Sequence, residues 1–120
     1  MATHNDLGAW GEALAVDYLQ RKGYIIEERN WKLGHRDIDI IATNGHMVVF
    51  VEVKTRSNNV FGEPEDAVNY MKLRHLRTAI NHYVKYKHLD CDIRFDVVSV
   101  IGTPDIGTPV IKHFEDVPMY

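Results

Sequence analysis

From Arg36 to Arg56 the chain reads RDIDIIATNGHMVVFVEVKTR, two runs rich in Ile and Val on either side of Asn44-Gly45. Side chains alternate across a strand, so this pattern predicts a β-hairpin with two distinct faces. Asn-Gly supplies the positive φ angles of a two-residue type I′ turn, which sets Asp39 opposite Phe50 and Asp37 opposite Glu52. One face then carries Ile38, Ile40, Ala42, Met47, Val49, Val51 and Val53, all apolar. The other carries Ile41, Val48 and Phe50 near the turn, but Asp37, Asp39, Glu52 and Lys54 toward the open end. Four charges interrupt a face that is otherwise core.

The same patterning arranges the rest of the chain around this hairpin. Between Asn5 or Asp6, either suited to an N-cap, and Gly23, suited to the C′ position, Leu7, Trp10, Leu14 and Tyr18 form one stripe of a helix. YIIEERN, Tyr24 to Asn30, reads as a strand that leads into a polar loop through Gly34. After the loop SNNVFGE, Pro64 suits the first turn of a long helix reaching to about His88. Ala67, Val68, Met71, Leu76, Ile80, Tyr83 and Val84 give that helix its apolar stripe, and Lys72, Arg74, Arg77, Lys85 and Lys87 its basic groups. DIRFDVVSVIG reads as a buried strand and TPVIKHF as a short last one, whose Pro109 implies a sheet edge. The order αβββαβ predicts an α/β fold with a mixed central sheet flanked by helices. No repeat or low-complexity linker divides it, so a single domain over residues 1–120 is expected.

The charged end of the hairpin has a chemical reading and a plain one. Asp39 and Glu52, meeting at the ends of adjacent strands, offer hard oxygen donors of the kind that hold Mg²⁺ or Mn²⁺, and the Val53 carbonyl can add a third. Lys54 points the same way, where it can orient or deprotonate a water or balance charge on a phosphoryl transition state. The plain reading is a solvated strand face, since Glu-x-Lys is a common tripeptide. It fits less well, because the flanking positions are apolar on both faces and unpaired charges in such a sheet cost several kcal/mol.

Composition narrows the setting. Hydrophobic residues make up 45% and charged residues 26% of the 120, ordinary for a globular chain. No stretch approaches the roughly eighteen apolar residues of a membrane span, and the N-terminus lacks the apolar segment of a secretion signal, so a cytoplasmic location is expected. Cys91 stands alone and cannot form an internal disulfide, and the seven His lack zinc-site spacing and read mostly as surface residues. The net charge of −3 counts against a broadly basic nucleic-acid binder. An acidic metal site contributes to that balance, however, and basic side chains can still cluster.

Five segments in order, GAWGEALAVDYLQRKGY, RDIDIIA, VVFVEVKTR, FGEPEDAVNYMKLRHLRTAINHY and RFDVVSV, resemble the YraN-like family of small bacterial proteins, which are predicted endonucleases of the PD-(D/E)XK restriction-endonuclease-like superfamily. Archaeal Holliday junction resolvases share that core and its early Gly/Glu helix. The resemblance runs from about Asp6 to Val100. It implies a restriction-endonuclease-like αβββαβ core and metal-dependent hydrolysis of phosphodiester bonds, in DNA more than in RNA, with Mg²⁺ or Mn²⁺ as cofactor. It assigns Asp39, Glu52 and Lys54 as the D, E and K of the motif and Glu12 as the helix-borne acid beside the metal. By analogy with the resolvases it also implies a homodimer. Where the family commonly reads Gly-Glu-Ile-Asp, this chain has Arg36-Asp37-Ile38-Asp39; Asp37 either keeps that acidic role or pairs with Arg36 or Arg56.

Other residues read two ways. Glu12 is a site acid or a plain exposed helix residue, with Gly8, Gly11 and Ala15 small enough to let the helix approach the sheet. Arg56, Lys72, Arg74 and Arg77 are phosphate contacts or solubilising surface. His35 stands at the mouth of the site or on an ordinary loop. Trp10 and Phe61 stack on bases or, more simply, fill a helix stripe and anchor a loop. The competing function is a non-catalytic nucleic-acid-binding module on a nuclease-like scaffold, and a third is a protein-interaction adaptor.

Overall fold

The computed structural model describes residues 4–58 and 70–119. In chain order it contains α1 (His4–Arg21), β1 (Ile25–Leu33), β2 (Arg36–Asn44), β3 (Met47–Arg56), α2 (Tyr70–Tyr86), β4 (Ile93–Thr103) and β5 (Ile106–Phe114). The strands form one sheet in the order β1-β2-β3-β4-β5, with β3 and β4 parallel and the other neighbours antiparallel. Parallel neighbours need a long crossover, and the segment containing α2 supplies it. This mixed α/β architecture is the expected one and is compatible with a restriction-endonuclease-like core. β5, with Pro109, is the edge strand anticipated and begins two residues earlier, at Ile106.

Both helices stop where backbone chemistry requires. Gly23 takes φ 92°, which lets the Tyr24 amide reach the Leu19 carbonyl at 3.0 Å and close α1. His88 takes φ 53° and Leu89 donates to Val84 at 3.0 Å, so α2 ends at Tyr86 and His88 forms its cap. Asn5 and Asp6 lie inside the first turn of α1 rather than before it, where the Asp6 charge opposes the helix dipole favourably. Pro64, Ala67, Val68 and Phe61 fall outside the described residues.

Two hairpins depart from expectation. β1 continues to Leu33, which pairs with Arg36 across a tight Gly34-His35 turn, where a polar loop was expected. In the β2–β3 hairpin Asn44 pairs with Met47, so the turn residues are Gly45 and His46, and only Gly45 has positive φ (65°). A single positive φ at the first central residue suits Gly-x, and the whole register moves by one pair. Phe50 therefore faces Ile41, not Asp39.

The sheet is covered on both sides. Ala15 and Leu19 of α1 pack with Tyr24, Ile40, Ala42, Val49, Val51, Val98 and Val100. Leu73, Leu76, Ala79, Ile80 and Tyr83 of α2 pack with Ile41, Val48, Phe50, Phe95 and Val97. Tyr83 joins edges with Phe50 and Trp31, ring centroids 5.7 and 5.2 Å away, which fixes the angle of α2 on the sheet. Ile38 belongs to this second cluster, not to the opposite face as strict alternation required, because β2 parts from β3 beyond the Ile40–Val51 pair. Met71, expected in the α2 stripe, is 55% exposed, and Leu73 and Ala79 take the buried positions instead. On α1 the buried line is Gly11, Ala15 and Leu19, with Trp10, Leu14 and Tyr18 partly buried beside it. No helix among the described residues is long and apolar enough to cross a membrane.

Gly11 sets how close α1 can lie. A Cβ built there falls 2.8 Å from Thr55 Cγ2 and 2.9 Å from Thr55 Cβ, closer than packed carbons come. Gly11→Ala should therefore cost about 1–3 kcal/mol by overpacking, outweighing a helix-propensity gain of about 1 kcal/mol. In urea denaturation, adding Thr55→Ala should recover much of that loss; simple additivity of the two substitutions would count against the contact.

Candidate functional site

The parting of β2 from β3 is what makes a site here. Carried one pair past Ile40–Val51, the observed register sets Asp39 against Glu52, but the ladder has ended and the two strands no longer exchange backbone bonds. The Val53 amide instead donates to Asp39 Oδ2 at 2.8 Å. Glu52 is 4% exposed, and its Oε1 receives Lys72 Nζ at 2.7 Å, with Lys54 Nζ at 3.8 Å. The shifted turn thus brings together the two acids that a type I′ turn would have offset.

Electrostatics register the crowding. Burial, then the charge of Glu52, pushes the Asp39 carboxyl up to about 8, against which the Val53 amide works. Burial likewise lowers the Lys54 ammonium to about 8, helped by the neighbouring Lys72. Burial also disfavours the Lys72 charge, but its close contact with Glu52 more than compensates and holds that ammonium above its ordinary value. Of two amines sharing one carboxylate, Lys72 keeps its proton and Lys54 is the readier to release one.

A cavity of about 240 Å³ opens beside these groups, lined by Leu7, Gly8, Glu12, Asp39, Val53, Lys54, Thr55 and Arg56. Glu12 reaches it from α1 but is already engaged: Arg29 Nε and Asn30 Nδ2 donate to its Oε1 at 3.3 and 3.0 Å. Glu52 does not line the cavity. Among the described residues no three His, Cys, Asp or Glu side chains converge as a metal cage. The donors that fit a hard divalent ion are the Asp39 and Glu52 carboxylates and, beside them, the Val53 carbonyl. Two acids held this close, one of them forced toward its neutral form, suit a cation better than they suit each other.

The remaining candidates separate. Arg56 lines the cavity, whereas Arg74 and Arg77 lie on α2 at a different concavity, together with Thr78 and Asn81. Asp37 points out and meets Lys32 at 3.8 Å, not Arg36 or Arg56. His35 sits exposed in the Gly34-His35 turn, and Trp10 packs against the α1-side core, the simpler of its two readings. Lys72 was readable as more than surface: it stands four residues before Leu76, on the buried stripe of α2.

A second polar cluster escaped the sequence reading. Asp96, fully buried on β4, accepts two bonds from Arg94 at 2.8 Å, one from His113 Nε2 at 2.7 Å and one from the Asp116 amide at 3.0 Å. Lys22 Nζ lies 2.9 Å from His113 Nδ1, and an ammonium only donates, so the ring hydrogen is on Nε2 and points at Asp96. The signal was an Asp inside the apolar run FDVVSV, which needs partners to be buried at all.

Several bacterial proteins are similar to this chain over nearly its whole length. It is 47% identical over 116 residues to a UPF0102 protein of Bacteroides thetaiotaomicron, covering 97% of this chain and 94% of that one. A Flavobacterium psychrophilum UPF0102 protein is 48% identical over 116 residues, covering 97% and 96%. One from Christiangramia forsetii is 43% identical over 120 residues, covering 100% and 99%. The profile described as "Uncharacterised protein family UPF0102" matches residues 11–100, a span that includes Glu12, Asp39, Glu52, Lys54 and all of α2. This chain belongs to the UPF0102 family.

Proposed function

We propose that this protein is a divalent-metal-dependent phosphodiester hydrolase acting on nucleic acid, of the PD-(D/E)XK kind. The observation that carries the reading is the half-buried Asp39 paired with the buried Glu52, with Lys54, beside a cavity that Asp39, Val53 and Lys54 line. Asp39, Glu52 and the Val53 carbonyl are the groups that would hold Mg²⁺ or Mn²⁺. Such an ion, when bound, supplies Lewis acidity toward a phosphoryl oxygen and an acidified water. Lys54, with its ammonium lowered to about 8, can take a proton from an attacking water near neutral pH or stabilise charge on the phosphoryl oxygens. Lys72 holds Glu52 in place through its 2.7 Å contact. Arg56, at the cavity wall, is suited to hold an adjacent phosphate.

The test is cleavage of end-labelled junction, flap and single-stranded substrates with Mn²⁺ or Mg²⁺. Lys54→Ala should lower turnover by about 10²–10⁴ while binding persists, the range for loss of a positioned acid or base. If the wild type binds these substrates and cleaves none of them, the non-catalytic module is the better reading.

A further inference from the structure

We infer that the outward face of α2 is a docking surface for a nucleic-acid backbone, with Arg74, Arg77 and Lys85 as its phosphate contacts. The proposal rests on the hydrolase reading only for where the bound strand leads; the surface itself is argued from charge and shape. α2 contains Lys72, Arg74, Arg77 and Lys85 and no Asp or Glu. The chain as a whole carries −3, so everything outside this helix sums to −7. Positive charge is concentrated on one element of an acidic protein, which answers the objection that the net charge raises.

The residues are arranged for a partner. At 3.6 residues per turn, Arg74, Arg77, Thr78, Asn81 and Lys85 fall on one side of α2, opposite Leu76, Ile80 and Tyr83, which face the sheet. Arg74, Arg77, Thr78 and Asn81 line a surface concavity of about 380 Å³. Arg74, Arg77 and Lys85 are exposed and form no ion pair among the described residues. Solubilising charges on a helix usually alternate in sign, with acids three or four residues away; this stripe has none. Guanidinium groups about one turn apart, with the Asn81 amide one turn further along, offer charge and donors that phosphate oxygens take, while the Thr78 hydroxyl donates to the Arg74 carbonyl at 3.1 Å.

The stripe also has a direction. From Arg74 to Lys85 is about 17 Å at 1.5 Å per residue, the axial reach of about five phosphates on one strand of a duplex. Its Arg74 end is two residues from Lys72, which bonds Glu52 at 2.7 Å. Lys72 itself turns to the sheet side of α2, so a strand on the outward face passes the helix end from which Lys72 reaches Glu52. Substrates too short to span the stripe should be cleaved poorly, and long ones should lose that advantage when the stripe is neutralised.

The deciding measurement is the salt dependence of binding, taken without metal in EDTA so that no cleavage intervenes. Fluorescence anisotropy of the full chain with a labelled 20-base-pair duplex, and with its single strand, gives log Kd against log[NaCl]. Arg74→Ala/Arg77→Ala should lower the slope by about 1.8 on the duplex and about 1.4 on the single strand, two contacts at roughly 0.9 and 0.7 each. Arg74→Lys/Arg77→Lys should keep most of the slope, and circular dichroism should be unchanged in both, since the side chains are exposed. A slope unmoved by Arg74→Ala/Arg77→Ala, or a wild type that binds neither probe, overturns the proposal. A reduced slope in a protein that cleaves nothing with Mn²⁺ upholds this surface and sinks the hydrolase reading. Cleavage with an unmoved slope does the reverse.

Discussion

Asp39→Asn is expected to abolish metal-dependent cleavage and, in the absence of metal, to make the protein more stable. The carboxyl's ordinary value is 3.8 and its folded value about 8, raised first by burial and then by Glu52. Below about pH 4 the group is protonated in folded and unfolded chains alike, so it adds nothing to the pH dependence there. Between about 4 and 8 the unfolded chain ionises and the folded one resists, so stability falls as pH rises through that window. Each unit is worth about 1.4 kcal/mol at the limit, and the coupling of Asp39 to its neighbours reduces the whole to about 2–4 kcal/mol. Asparagine keeps an oxygen for the Val53 amide and carries no charge, so the variant should gain that amount at pH 8 and almost nothing at pH 4. Urea titrations at the two pH values check it. Added Mn²⁺ should stabilise the wild type and leave the variant nearly unmoved, because a ligand stabilises only through the state that binds it. Equal stability of the two proteins at pH 8 would mean that Asp39 is comfortable where it stands, and the metal argument would lose its electrostatic support.

That instability was partly legible in the chain. Alternation in β2 and β3 assigned the four charges to one face, and the apolar surroundings of Asp39 and Glu52 marked them as buried. What the pattern could not supply was their contact. A type I′ turn at Asn44-Gly45 and a Gly45-His46 turn differ by one pair in register and by nothing in hydrophobic parity, so both satisfy the same alternation. Only the second sets Asp39 against Glu52. The early end of the β2–β3 ladder was equally invisible, since it depends on how strongly the sheet twists, and local sequence does not encode that alone.

Helix patterning had the opposite weakness. α1 and the C-terminal end of α2 were legible to within a few residues, because Gly23 and His88 mark stops that backbone geometry demands. Their inward faces were read by hydrophobicity, which passed over Gly11 and Lys72. Gly11 is buried because Thr55 allows nothing larger, and Lys72 turns inward because Glu52 gives it a partner. Gly11 depends on a side chain 44 positions away and Lys72 on one 20 positions away, in no regular spacing, so neither has a local signature. The buried cluster around Asp96 is the extreme case: its members come from the residue after α1, from β4, from β5 and from the segment after it.

Asp96→Ala should be the most damaging single substitution outside the carboxylate site, at about 3–5 kcal/mol, the usual cost of removing one partner from a buried ionic network. The carboxylate has four donors, and its loss would strand a guanidinium that is 15% exposed and an imidazole that is 2% exposed. Burial alone would push the Asp96 carboxyl up, but the bonds from His113, Arg94 and the Asp116 amide outweigh it and hold the group below the carboxylate range. Its contribution is therefore present above the unfolded value of about 3.9 and is lost as pH falls through the folded one. Asp39 acts in the opposite sense, losing stability as pH rises from about 4 to 8. Together the two acids should put the metal-free wild type's greatest stability on the acid side of neutrality, near pH 4–5. Asp39→Asn should move that maximum toward neutral pH, and Asp96→Ala should lower it and flatten its acid limb. Because Asp96 does not line the cavity at Asp39, the folded fraction of Asp96→Ala should cleave at the wild-type rate. A large loss of turnover per folded molecule would instead tie the cluster to the site through the β3–β4 pair Val51–Asp96, next to Glu52.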